Sequence, residues 1–129
     1  MMREDKRDAG LTVYGVRYYG HFMDRKERLA VSHLEATMKA THGRSDTTAQ
    51  QEARSSKPHL RERLSDDPEV LRLANAGMVA FQEQTARRIL AEHGDKIILN
   101  RCPKCGALAR TPNARQCHSC HHDWHNATE

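Results

Sequence analysis

Cys102-Pro103-Lys104-Cys105-Gly106 and, eleven residues after Cys105, Cys117-His118-Ser119-Cys120 hold all four cysteines of the chain. The pattern is C-x2-C-x11-C-x2-C. Two residues between paired cysteines form a tight turn. It brings both sulfurs to one point and faces backbone amides toward them. Gly106 relieves the backbone just after the second sulfur, where a positive φ is often required. Two such turns joined by a hairpin complete a tetrahedral shell of four thiolates, each about 2.3 Å from a Zn²⁺ ion. The spacer Ala107–Gln116 suits that plan with a short strand, a Pro112-Asn113 turn and a returning strand. Ile97-Ile98-Leu99, directly upstream, predicts a short strand entering the first turn. The expectation is one Zn²⁺ per chain held by Cys102, Cys105, Cys117 and Cys120. A full shell leaves no open position, so its role is structural.

These residues resemble the zinc-ribbon group of folds over about residues 97–126. CPKCG is the characteristic part. His121 departs from the pattern, because a glycine commonly follows the second cysteine pair. The resemblance implies a small hairpin that folds on its metal. Zinc ribbons serve transcription factors, ribosomal proteins, enzymes and adaptors alike, so it implies no single function. Residues 1–95 carry no such resemblance.

Three other readings use the same cysteines. A redox dithiol explains one C-x-x-C but not two at this spacing. Iron takes the same four-sulfur geometry as zinc. Cys117-His118-Ser119-Cys120-His121 also matches C-x-x-C-H, the haem-attachment pattern. Haem attachment would leave Cys102 and Cys105 without a role and would require export. The charged start Met1–Asp8, with no apolar stretch after it, predicts no secretory signal. His118, His121, His122 and His125 are read as surface residues around the second turn, one of them a hydrogen-bond donor to a thiolate. A second metal site is the sharper alternative. Trp124 is expected to pack on the hairpin.

Upstream, Tyr14, Val16 and Tyr18 alternate within residues 11–22, which predicts a strand or extended arm. Residues 24–42 predict a helix capped by Asp24, with Leu29, Val31, His33, Leu34 and Met38 at helical spacing and Gly43 as its stop. Residues 43–65 are polar and read as a mobile linker with at most fragmentary helix. Residues 66–93 predict one long helix, capped by Asp66 or by Asp67 with Pro68 following. Its stripe is Val70, Ala74, Met78, Phe81, Thr85 and Ile89. No internal repeat is visible. The predicted fold class is therefore α+β: a helical region of about two helices with an N-terminal strand or arm (1–95), followed by a zinc-ribbon module (96–129).

Composition bounds the function. The 129 residues are 37% hydrophobic and 5% aromatic, too little for one large core. Basic residues number 21 and acidic residues 17, for a net charge of +4. That permits a nucleic-acid partner without implying one. No apolar run approaches the ~18 residues of a membrane span, and the expected compartment is the cytoplasm, where cysteines stay reduced. Residues 96–129 carry a net +3, reduced to about +1 by four thiolates and a divalent ion. The favoured expectation is a non-catalytic interaction or adaptor module with a protein partner or a second copy of itself. The alternative is a nucleic-acid-associated protein that touches phosphates through Arg110 and Arg115. No nucleophile, phosphate-loop or dinucleotide motif is present. His21, Asp24 and Glu27 are the only polar group worth weighing as a site, and their ordinary reading is a solvated helix end.

Overall fold

The computed structural model describes residues 10–125. The charged start Met1–Asp8 lies outside them. Six α-helices make up the described fold: α1 (Leu11–Tyr19), α2 (Arg25–Ala40), α3 (Thr47–Ala53), α4 (Pro58–Arg61), α5 (Pro68–Ala74) and α6 (Met78–His93). No strand forms among the described residues, so the fold is helical and the α+β expectation is corrected. None of the helices is long and apolar enough to cross a membrane. The chain divides into two compact units, residues 23–85 and residues 1–22 with 86–129.

In the unit formed by 23–85, α2 starts as the sequence reads. The Asp24 side chain accepts the Glu27 N–H at 2.8 Å, and the Glu27 carboxylate accepts the Asp24 N–H at 2.9 Å. This reciprocal cap satisfies two amides that the helix start leaves without partners. Ala30, Leu34, Val70, Ala74 and Phe81 form the core, which ties α2 to α5 and the start of α6. Asp67, not Asp66, caps α5, by accepting the Glu69 N–H. Lys26 pairs with the same Asp67 carboxylate.

One expectation is filled in here and one is overturned. The polar stretch 43–65 contains α3 and α4. Buried hydrogen bonds seat it, together with the small buried apolar side chains Ala49, Ala53 and Leu60. Ser65 N–H donates to His33 Nδ1 at 3.0 Å, which places the ring proton on Nε2, 3.0 Å from Gln50 Oε1. Gln50 in turn donates to the carbonyls of Ser45 and Ala74. His33 is fully buried, and every polar atom of this chain of contacts is used. The stretch 66–93 is two helices rather than one. The apolar stripe is right, since Val70, Ala74, Phe81, Thr85 and Ile89 are all buried. The backbone nevertheless breaks at Gly77, whose φ is +93°. Ser45 Oγ, thirty-three residues away, accepts the Met78 N–H at 3.0 Å and so caps α6. No local pattern encodes a cap from so far along the chain.

In the other unit, the expected N-terminal strand is the helix α1. Tyr14 and Tyr18, four apart, meet edge to face at 5.6 Å, and Tyr14 and Gly15 are buried. A Cβ on Gly15 would lie 3.5 Å from that of Ala86, so the helix face passes close to α6. Alternating aromatics favour a strand only on a pleated surface they can pack against, and here a helix offers the packing. The expected strand at 97–99 is absent for a related reason. Its backbone is paired with tyrosine hydroxyls. Tyr14 Oη donates to Ile98 O at 2.7 Å and accepts from Asn100 N–H at 3.3 Å. Tyr19 Oη accepts the Ile98 N–H at 3.0 Å.

Gly77→Ala should destabilise the protein by about 1–2 kcal/mol, because a left-handed backbone is strained for any L side chain. The added Cβ would also sit 3.1 Å from Ser45 Oγ. A urea midpoint unchanged from wild type would contradict this account.

Burial holds the His33 pKa below its ordinary 6.5, against the hydrogen bond it donates to Gln50, while the Arg54 charge lowers it and the Asp66 charge raises it. The unfolded chain therefore takes up a proton that the folded one refuses. Stability should fall as pH drops below about 6.5, and the loss should shrink in His33→Gln when urea midpoints at about pH 7.5 and about pH 5.5 are compared. An equal loss in both proteins would remove His33 as the source.

Candidate metal centre

The four cysteines read from the sequence converge. The sulfurs of Cys102, Cys105, Cys117 and Cys120 all lie within 4.8 Å of one another. Cys102 Sγ is 3.7 Å from Cys120 Sγ, and Cys105 Sγ is 3.6 Å from Cys117 Sγ. A disulfide is about 2.0 Å long, so none is formed. Four sulfurs at tetrahedral positions about 2.3 Å from a common centre would be about 3.8 Å apart. The spacing therefore fits a single ion with four thiolate ligands.

Each cysteine pair is a turn built to the same hydrogen-bond plan. Cys102 Sγ accepts the amides of Lys104 and Cys105 at 3.4 and 3.5 Å. Cys117 Sγ accepts those of Ser119 and Cys120 at 3.3 and 3.4 Å. Gly106 N–H returns to Cys102 O, as His121 N–H returns to Cys117 O. Cys102 N–H donates to Ala107 O, as Cys117 N–H donates to His122 O. One bridge closes each turn, Arg101 with Leu108 and Gln116 with Asp123. Every partner in the second turn is fifteen residues beyond its counterpart in the first. The sequence shows no repeat, yet the backbone repeats. The hairpin strands expected in the spacer reduce to these single bridges.

His121 occupies the position of Gly106. Gly106 has φ +80° and His121 has φ +65°. The turn thus keeps its shape without a glycine, with a non-glycine residue held in the left-handed region.

The thiols do not titrate alike. Backbone N–H groups, that of Cys120 foremost and Ser119 with it, bring Cys117 down to about 6 against the effect of burial. Cys105 receives the Ala107 N–H, which lowers its pKa, but burial and the three neighbouring sulfurs push it up to about 11. Cys102 is raised by burial, and the amides of Cys105 and Lys104 more than offset this, leaving it below the ordinary thiol value. One sulfur ionises readily, and its charge opposes ionisation of its neighbour. A divalent cation among them removes that conflict, and its binding displaces the remaining protons.

Around the sulfurs, Cys102 and Cys117 are buried while Cys120 is exposed. Ala107 and Trp124 pack beside them, as expected of Trp124. Asn100 stands behind the loop, donating to Thr111 O at 3.0 Å and Ala114 O at 2.8 Å. The sequence reading did not single it out. Of the four histidines, His118 Nε2 lies 3.1 Å from Leu108 O and His125 pairs with Asp123. No second group of metal-binding side chains occurs among the described residues. Arg110 is exposed, whereas Arg115 is engaged within the chain. Asp24 and Glu27 are consumed by the α2 cap, and His21 lies against Phe22, with ring centroids 4.4 Å apart.

Compared with protein-family models, with curated proteins and with solved structures, the chain matches none.

The left-handed backbone at residue 121 generates a prediction. His121→Gly should hold metal at least as tightly as wild type, and His121→Val should bind roughly tenfold more weakly, since strain of this kind costs about 1–2 kcal/mol. Competition against a chromophoric chelator measures both. Equal affinity in the valine variant would show that the turn does not need that conformation.

Proposed function

We propose that the chain is a zinc-held interaction module: Cys102, Cys105, Cys117 and Cys120 bind one structural Zn²⁺ in a ribbon-like pair of knuckles. The observation that supports this best is four sulfurs gathered within 4.8 Å, with amides of both turns directed at Cys102 and Cys117. A shell of four thiolates has no open position for a substrate or water, which favours a structural role over a catalytic one. Tetrahedral sulfur ligation suits zinc and iron, and the proposal takes zinc. In this reading the ion holds the residues that follow α6, where two single bridges and a few buried side chains offer little other cohesion. The helices give the module a frame, and the partner is another protein. Contact with nucleic acid through Arg110 and Arg115 is the weaker reading, because Arg115 is already engaged within the chain.

Native mass spectrometry of the gently purified chain should show one zinc per protomer, with any protein partner or second copy visible in the same spectrum. Cys117→Ser should lose most of the bound metal. Chelation should broaden the amide resonances of residues 97–125, since zinc binding in small modules of this kind is worth about 10–16 kcal/mol. The helical core of residues 23–85 should keep its signals. A coloured iron form, a covalent haem mass, or a metal-free chain with sharp resonances throughout would each reject the zinc reading.

A further inference from the structure

Helix α1 and the chain leaving the first cysteine turn flank a half-open concavity of about 390 Å³. The volume lies within the range of small-ligand and peptide-anchor pockets. Its apolar side is Val13, Tyr14 and Ala109. Arg17, Arg110 and His118 complete the lining. Val13 is 62% exposed, an aliphatic side chain turned to solvent beside a concavity. Among the described residues, no acidic side chain lines it. Arg17 lies over the Tyr18 ring at 5.7 Å, and neither Arg17 nor Arg110 has an ion-pair partner among the described residues.

We infer that this cavity is the docking site of the interaction module and that its occupant is an acidic peptide segment of a partner protein carrying one aliphatic anchor. The inference rests on the reading of the chain as an interaction module. The anchor would cover Val13 and Ala109, and carboxylates on either side of it would meet the Arg17 and Arg110 guanidiniums, whose planar forks suit carboxylates. Charge complementarity selects an acidic partner. The floor selects peptide over nucleic acid. Single-stranded nucleic acid needs open aromatic faces on which bases stack. Tyr14, the only aromatic among the described lining residues apart from His118, is 2% exposed, and its hydroxyl is already spent on Ile98 and Asn100. Two arginines also fall short of the basic stripe that follows a phosphate backbone.

The test uses the full-length, zinc-loaded protein and a phage-displayed library of random peptides. Enriched peptides should share a Leu, Ile or Val flanked by Asp or Glu. Their binding should fall roughly tenfold in Arg17→Glu/Arg110→Glu, the scale expected of two exposed ion pairs, and weaken with added salt. The equal charge reversal Arg61→Glu/Arg72→Glu should change it little. In ¹⁵N spectra a bound peptide should shift the amides of Val13, Arg17 and Arg110. With zinc retained, enrichment of peptides without acidic residues, or no enrichment, overturns the docking site and leaves the metal-held module standing. Binding of an oligo-dT strand that the Arg17→Glu/Arg110→Glu variant loses, with no acidic peptide enriched, overturns the peptide in favour of nucleic acid. A wild-type chain that holds no zinc overturns the module reading itself and this inference with it.

Discussion

Four thiols inside a sphere a few ångströms wide are a constraint before they are a site. Apolar packing does not require sulfurs to cluster, and ionising one makes the next harder to ionise. The opposed shifts of Cys117, down to about 6, and Cys105, up to about 11, express that conflict. Backbone amides aimed at Cys102 and Cys117 stabilise negative charge there. They have little purpose around neutral thiols. A cation of two charges would resolve that conflict, and side chains of residues 97–125 gather around the same point. Single bridges replace strands, Ala107 and Trp124 pack against the sulfurs, and Asn100 holds the intervening loop by two carbonyls.

The approach to this centre is secured by a different device. Residues 97–100 belong to no helix or strand, and their amides and carbonyls need partners. Tyr14 and Tyr19 supply these from a helix. A tyrosine hydroxyl both donates and accepts, so Tyr14 serves Ile98 O and Asn100 N–H at once. This is why burial of Tyr14 carries no unmet polar group; burial itself holds the phenol above its ordinary pKa, against the Asn100 N–H, which lowers it. Asn100 then links the helix to the metal loop, taking its backbone partner from Tyr14 and giving its side chain to Thr111 and Ala114.

The site was more legible than the fold. Paired cysteine spacing implies convergence on one point, and the four sulfurs do lie within 4.8 Å of one another. Capping was legible where both partners were neighbours, as with Asp24 and Glu27. It was not where Ser45 caps α6 from thirty-three residues upstream, and there one helix was read for two. The polar stretch 43–65 read as linker because its order depends on His33 and Gln50, whose hydrogen bonds span elements distant in sequence. The alternation of Tyr14, Val16 and Tyr18 read as strand because period two and the i,i+4 spacing of Tyr14 and Tyr18 occur in the same nine residues. Only the packing of Gly15 against Ala86 decides between them.

The backbone repeat within the metal centre has side chains that break it. After the first turn come Ala107, Leu108 and Ala109, all buried. At the matching positions after the second turn stand His122, Asp123 and Trp124, none of them buried. Cys105 is partly covered, while its counterpart Cys120 is exposed. Equal backbones with unequal side chains have unequal tasks. The first turn spends its apolar residues on anchorage. The second keeps Trp124 for packing against the sulfurs and otherwise carries polar side chains at the surface. His121 fits this division. A glycine there would relax the turn, but an exposed histidine is kept in a strained conformation. Such strain persists only where the surroundings fix the backbone, and on the zinc reading the ion does that at the ligand one residue before it.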